Sequence, residues 1–140
     1  MSGNVIFFDL DGTIIDSAPQ IINSLEYAFN FFQIEPNKKI TPKLIGPPVN
    51  LIIEDLTKGS NNEKASDVLK KFKYFYDNNF CYQSNCYKDI YETLEFLSKK
   101  NLLLLVTNKR LLPTKRIFKH KNLIKYFDDH YSVNINLSLI

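Results

Sequence analysis

The chain has 140 residues, 44% of them hydrophobic and 24% charged, with a net charge of +3. That length suits one domain or a core with a small inserted module, and the composition is that of a soluble globular protein, which excludes a disordered chain. A charge of +3 is too small to argue for nucleic acid, and no apolar run reaches the length of a membrane span, so neither is expected as a partner.

The opening Met1-Ser2-Gly3-Asn4 lacks the basic start of a signal peptide, and the expected location is the cytoplasm. Val5, Ile6, Phe7 and Phe8 then form a short apolar run that leads into Asp9-Leu10-Asp11-Gly12-Thr13. Such a run, rich in branched and aromatic residues and ended by a glycine, predicts a buried strand delivering two carboxylates, Asp9 and Asp11, to its carboxyl end. Open α/β sheets place their chemistry at that end. Beyond Asp9 the chain can curl, so both carboxylates can converge on one small volume, where two anions repel unless a cation or a proton intervenes. A hard divalent ion such as Mg²⁺ suits them, since it prefers carboxylate and carbonyl oxygens and keeps waters that a phosphate can displace. Gly12 permits a tight turn, and its neighbouring N–H groups can face an anionic ligand. A bare Asp-x-Asp also reads as a pair of solvated loop carboxylates.

Ser17 followed by Pro19 predicts a helix start, and Ile21, Leu25, Ala28, Phe29 and Phe32 continue it as one apolar stripe. Asn37 to Ile40 is a polar break. Thr41-Pro42 repeats the start signal, Gly46-Pro47-Pro48 stops that short segment, and Val49, Ile52, Ile53 and Leu56 stripe a second helix ended by Gly59. A third helix is expected over residues 63–78, with Ala65, Val68, Leu69, Phe72 and Tyr76 on one side and Lys70, Lys71 and Lys73 on a solvated one. Residues 17–80 are therefore expected to be all helical.

Residues 80–89 read as an aromatic, polar connector containing Cys81 and Cys86, which are spaced for neither a redox motif nor zinc and are taken as reduced thiols. Ile90, Leu94 and Leu97 stripe a helix over residues 90–100. Leu102 to Val106 follows as a second buried strand whose carboxyl end carries Thr107-Asn108-Lys109. A hydroxyl and an amide there can bond phosphoryl oxygens without adding charge, and a helix beginning near Pro113 adds a favourable dipole. Alone, Thr-Asn-Lys reads equally as a plain strand-to-helix loop. Lys115, Arg116, Lys119, Lys121 and Lys125 make the next stretch basic, read as a solvated helix; His120 and His130 have no ligand-spaced partners and are taken as structural or surface residues. Leu123, Ile124, Tyr126 and Phe127 form an apolar segment, and Tyr131, Val133, Ile135, Leu137 and Leu139 alternate as a strand does.

Asp9-Leu10-Asp11-Gly12-Thr13 resembles motif I of the haloacid dehalogenase-like (HAD) hydrolases, with the Ile15-Asp16-Ser17 continuation of phosphoglycolate-phosphatase-like members, and Thr107-Asn108-Lys109 resembles motif II. The resemblance implies an α/β fold, a HAD-like Rossmannoid core with a parallel sheet, formed by residues 1–16 and 81–140. It also implies that residues 17–80 are an inserted helical cap that covers the site and chooses the substrate, with Gly46 a candidate substrate contact; an ordinary helical domain is the alternative. It makes Asp9 the nucleophile and a Mg²⁺ ligand, Asp11 the general acid/base and a ligand through its backbone carbonyl, and Leu10, Gly12, Thr107, Asn108 and Lys109 the phosphate-binding set. Lys88-Asp89 stands where the family usually has Pro-Gly.

A HAD phosphatase also carries a third motif, a Lys that neutralises nucleophile and phosphate, and a fourth, an acidic strand end that completes the metal site. Neither can be placed, and residues 134–140 carry no charged side chain, so the core is expected to be truncated, with Lys115 and Asp128 or Asp129 as candidate substitutes. The implied function is Mg²⁺-dependent hydrolysis of a small phosphorylated metabolite, phosphoglycolate-like, a sugar phosphate or a nucleotide, through an aspartyl-phosphate. The alternatives are a catalytically inactive HAD-like protein that binds phosphate, metal or a protein partner, and a truncated product with no role of its own. An unpaired sheet edge leaves a homodimer open.

Overall fold

The computed structural model describes residues 3–59 and 61–127. The alternating segment from Tyr131 to Leu139, with Asp128, Asp129 and His130, lies outside the described residues. The chain divides into two compact units, one made of Met1–Asp16 with Asn85–Ile140 and the other of Ser17–Ser84. The stretch from Cys81 to Ser84 thus belongs with the helices, because a 3-10 turn over Cys81–Gln83 continues directly from the last helical segment.

The first unit is α/β. Strand β1, Val5–Phe8, pairs in parallel with β4, Leu102–Leu105, in the register Val5↔Leu102 to Phe8↔Leu105, so the two carboxyl ends lie side by side. A second, antiparallel pair joins β2, Ile15–Asp16, to β3, Asn85–Cys86. Helix α4, Ile90–Ser98, precedes β4, and helix α5, Leu111–His120, follows it. Leu10, Ile14, Ile15, Leu94, Leu103, Leu105 and Ile117 form the core, each less than 5% exposed.

The expectation that β1 is buried is corrected: Val5 is 50% and Phe7 65% exposed. Side chains on a strand alternate, and only the face carrying Ile6 and Phe8 is partly covered. The apolar segment after α5 does pack on β1, since the Phe127 ring meets Phe8 edge-on at 6.0 Å and Phe118 at 5.3 Å.

The second unit is helical: α1, Ala18–Phe31; α2, Val49–Thr57; and α3, Ala65–Phe75, which runs on as a wider turn over Tyr76–Phe80. The stripes read from the sequence are the faces that pack: Leu25, Ala28, Phe29, Ile53, Leu56, Val68, Phe72 and Tyr76 are at most 2% exposed. Ser17 takes the N-cap position of α1, but its hydroxyl does not make the capping bond. The break at Asn37 is tied down by its side chain, which donates to the carbonyls of Asp55 and Lys58, while Lys38 pairs with Asp55. Lys71 departs from the expected solvated row, with its ammonium 3.6 Å from the centre of the Phe31 ring.

Among the described residues no helix is long and apolar enough to cross a membrane. Neither Cys81 nor Cys86 is in a disulfide.

Candidate active site

The paired strands β1 and β4 end together, and the Val106 N–H donates to the Phe8 carbonyl at 2.8 Å, so Asp9 and Thr107 leave adjacent strand ends. Asp9 is exposed, and its carboxylate accepts the Leu10 N–H at 2.7 Å. The chain then curls as the sequence predicts. The Leu10 carbonyl accepts N–H bonds from Thr13, Ile14 and Ile15, and the Gly12 N–H returns to the Ile15 carbonyl at 2.9 Å. Gly12 has φ +79°, in the left-handed region where a side chain adds strain, so its place in the motif follows from the turn. Leu10 and Ile14, both 0% exposed, anchor this loop from within, which leaves the polar Asp11 side chain near the surface.

The Gly12 N–H is used within the turn, on the Ile15 carbonyl, and the Leu10 N–H rests on the Asp9 carboxylate.

At the end of β4, Thr107 is 6% exposed and its hydroxyl accepts the Lys109 N–H at 3.1 Å. This bond, in which a hydroxyl accepts the amide N–H two residues on, closes a tight turn. It places Lys109 with its ammonium 2.9 Å from Asp11 Oδ1, and the Lys109 side chain is 5% exposed against 18% for Asp11. The structure thus brings together Asp9, Leu10, Asp11, Gly12, Thr107 and Lys109. Asn108, between the last two, is exposed.

Lys109, a phosphate-binding candidate in the sequence, has its ammonium on Asp11 Oδ1 in this structure. Lys115, the candidate stand-in cation, is exposed on α5. Gly46, at φ +143°, lies in the helical unit between a 3-10 turn over Pro42–Leu44 and α2. The pairing of Lys109 with Asp11 was missed in sequence; its one signal is a threonine two residues before the lysine, the spacing that closes such a turn.

Asp9 and Asp11 offer oxygen donors only, and among the described residues no group of three His, Cys, Asp or Glu side chains is placed to hold a metal. Two carboxylates are too few for a closed structural zinc site. The Asp9 carboxylate with the Asp11 backbone carbonyl fits Mg²⁺, which binds through one or two carboxylates and fills its remaining positions with water and phosphate oxygens.

The sequence matches the family described as haloacid dehalogenase-like hydrolase over residues 6–134. A phosphoglycolate phosphatase of Aquifex aeolicus is 36% identical over 128 residues, covering 89% of this chain and 58% of that protein. One of Haemophilus influenzae is 32% identical over 123 residues, covering 81% of this chain and 54% of that protein. Among solved structures, a predicted phosphatase from Clostridium acetobutylicum has a TM-score of 0.78 at 27% identity, covering 91% of this chain and 60% of that one. The chain spans about half the length of the curated relatives it matches.

Proposed function

The chain belongs to the haloacid dehalogenase-like hydrolases, and from that premise we propose that it is a Mg²⁺-dependent phosphatase acting on a small phosphorylated metabolite through an aspartyl-phosphate. The observation that carries the reading is the convergence of Asp9, Asp11 and Thr107 on adjacent parallel strand ends, with Lys109 held against Asp11. The names of the curated relatives point to a phosphoglycolate-like substrate.

In the proposed reaction an Asp9 carboxylate oxygen attacks phosphorus and the ester P–O bond breaks. Asp11 gives its proton to the departing oxygen. Water then attacks the phosphorus of the aspartyl-phosphate, the P–O bond to Asp9 breaks, and Asp11 takes the proton from that water. The sum is ester plus water to alcohol plus inorganic phosphate. The Thr107 hydroxyl and the Asn108 amide hold phosphoryl oxygens, and the Leu10 N–H transfers to one of them from the Asp9 carboxylate. The Asp9 carboxylate and the Asp11 backbone carbonyl would hold Mg²⁺, which would offset the charge of the phosphoryl group. The helical unit serves as the cap, and Gly46 is its candidate substrate contact.

The test is hydrolysis of phosphoglycolate, a hexose phosphate, a nucleotide and para-nitrophenyl phosphate by the purified chain, with Mg²⁺ and with chelator, beside Asp9→Asn. Turnover that requires both Mg²⁺ and Asp9 supports the reading, and the preferred compound names the substrate class. A folded chain that turns over none of them refutes it, and retained binding of inorganic phosphate would then favour a non-catalytic phosphate-binding protein.

A further inference from the structure

Lys109 sits on a polar loop at a strand end, where an ammonium would ordinarily keep its water, yet its side chain is 5% exposed. Burying a lysine is costly unless a partner compensates, so lysines are almost never buried unpaired. The partner is Asp11, at 2.9 Å. Both ends of this contact are fixed by independent bonds: Lys109 by its N–H to the Thr107 hydroxyl, and the Asp11 segment by the bonds from Thr13, Ile14 and Ile15 to Leu10 and from Gly12 to Ile15.

We infer that Lys109 is the positioning residue of Asp11, holding its carboxylate in one orientation between the two strand ends. The inference rests on the phosphatase reading, in which Asp11 moves a proton in both half-reactions. A loop aspartate without a partner distributes over several χ1 rotamers, whereas proton transfer needs the group within hydrogen-bond reach of its target. An ammonium anchored in the loop after the neighbouring strand selects one of those rotamers. Lys109 thereby ties the loop after β4 to the loop after β1 and acts on the reaction through Asp11, leaving the phosphate to Thr107 and Asn108.

The experiment measures hydrolysis of para-nitrophenyl phosphate with Mg²⁺ by the wild type, Lys109→Met, Lys109→Arg, Asp11→Asn and the Lys109→Met/Asp11→Asn double variant. Binding of inorganic phosphate is measured by calorimetry on the same proteins. Loss of one preorganised electrostatic contact lowers kcat by about 10²-fold, and that is the effect expected of Lys109→Met, with KM and phosphate affinity near their wild-type values. Lys109→Arg restores most of the lost rate, and the double variant is no slower than Asp11→Asn alone.

Three results would overturn the inference while leaving the phosphatase reading intact. These are an unchanged kcat in Lys109→Met, a loss confined to KM and phosphate affinity, and rate losses that multiply in the double variant. An inactive wild type sinks both readings together. If Lys109→Met does not fold, Lys109→Arg and the double variant, in which no unpaired carboxylate remains, still decide between these outcomes.

Discussion

Asp89 carries φ +61°, in the left-handed region, at the N-cap of α4, and its side chain makes no capping bond there. A left-handed backbone costs an L-residue roughly 1–2 kcal/mol, less for Asp, whereas glycine adopts it without strain. Asp89→Gly is therefore expected to stabilise the chain by about 0.5–1 kcal/mol after the added freedom of glycine in the unfolded state is subtracted. Thermal melting checks this; an unchanged or lowered Tm would contradict it. That Asp89 replaces a glycine usual in the family was legible in the sequence. The sign of φ was not, because aspartate tolerates either hand. At the same scale, Asp9, Asp11 and Thr107 could be placed at strand ends from the apolar runs preceding them. The contact of Lys109 with Asp11 could not, since it joins two loops far apart in the chain, and the threonine two residues before Lys109 signals the turn but not the partner.

At the scale of elements, the helices were readable because their apolar stripes are the faces that pack. Phe72 is 2% exposed and stacks on Tyr76 at 5.4 Å. Its replacement by Ala is expected to cost about 3–5 kcal/mol, read as a fall in the denaturant midpoint; a loss under about 1 kcal/mol would mean the site collapses around the cavity. Strands β2 and β3 left no such signal. Each is two residues long, and what defines them is the pairing of Ile15–Asp16 with Asn85–Cys86, far apart in the chain. Exposure of β1 was unreadable for a related reason, since an apolar run records what a strand prefers and not which neighbours cover it.

Tyr91 on α4 shows how such distant elements are joined. Its hydroxyl donates to the Lys121 carbonyl just after α5 and accepts from the Cys86 thiol on β3. Burial first, then the hydrogen bond with Cys86, raise its pKa from 10.0 to about 12. The folded chain then keeps this proton where the unfolded chain loses it. The stability linked to Tyr91 is fully present below pH 10 and is lost as pH rises towards about 12. Tyr91→Phe should flatten the decline of Tm over that interval; an identical slope would show that the hydroxyl is not held in this way.

For the molecule as a whole, an α/β unit with parallel strands and an all-helical unit are the architecture that the family resemblance implies, and the match to the Clostridium acetobutylicum structure supports it. The metal makes a prediction that needs no turnover. A ligand that binds only the native state stabilises it by about 2.7 kcal/mol at a hundred times its Kd. Mg²⁺ should accordingly raise the Tm of the wild type by several degrees and that of Asp9→Asn much less, and equal shifts would place the ion elsewhere.

The central claim is that Asp9 becomes covalently phosphorylated during turnover. Acid-quenched reactions with a phosphorylated substrate and Mg²⁺, digested and read by mass spectrometry, test it most directly. The account predicts a phosphoryl adduct on the peptide that contains Asp9, absent with chelator and absent in Asp9→Asn. Turnover with no adduct on that peptide, or with the adduct on another residue, would contradict it.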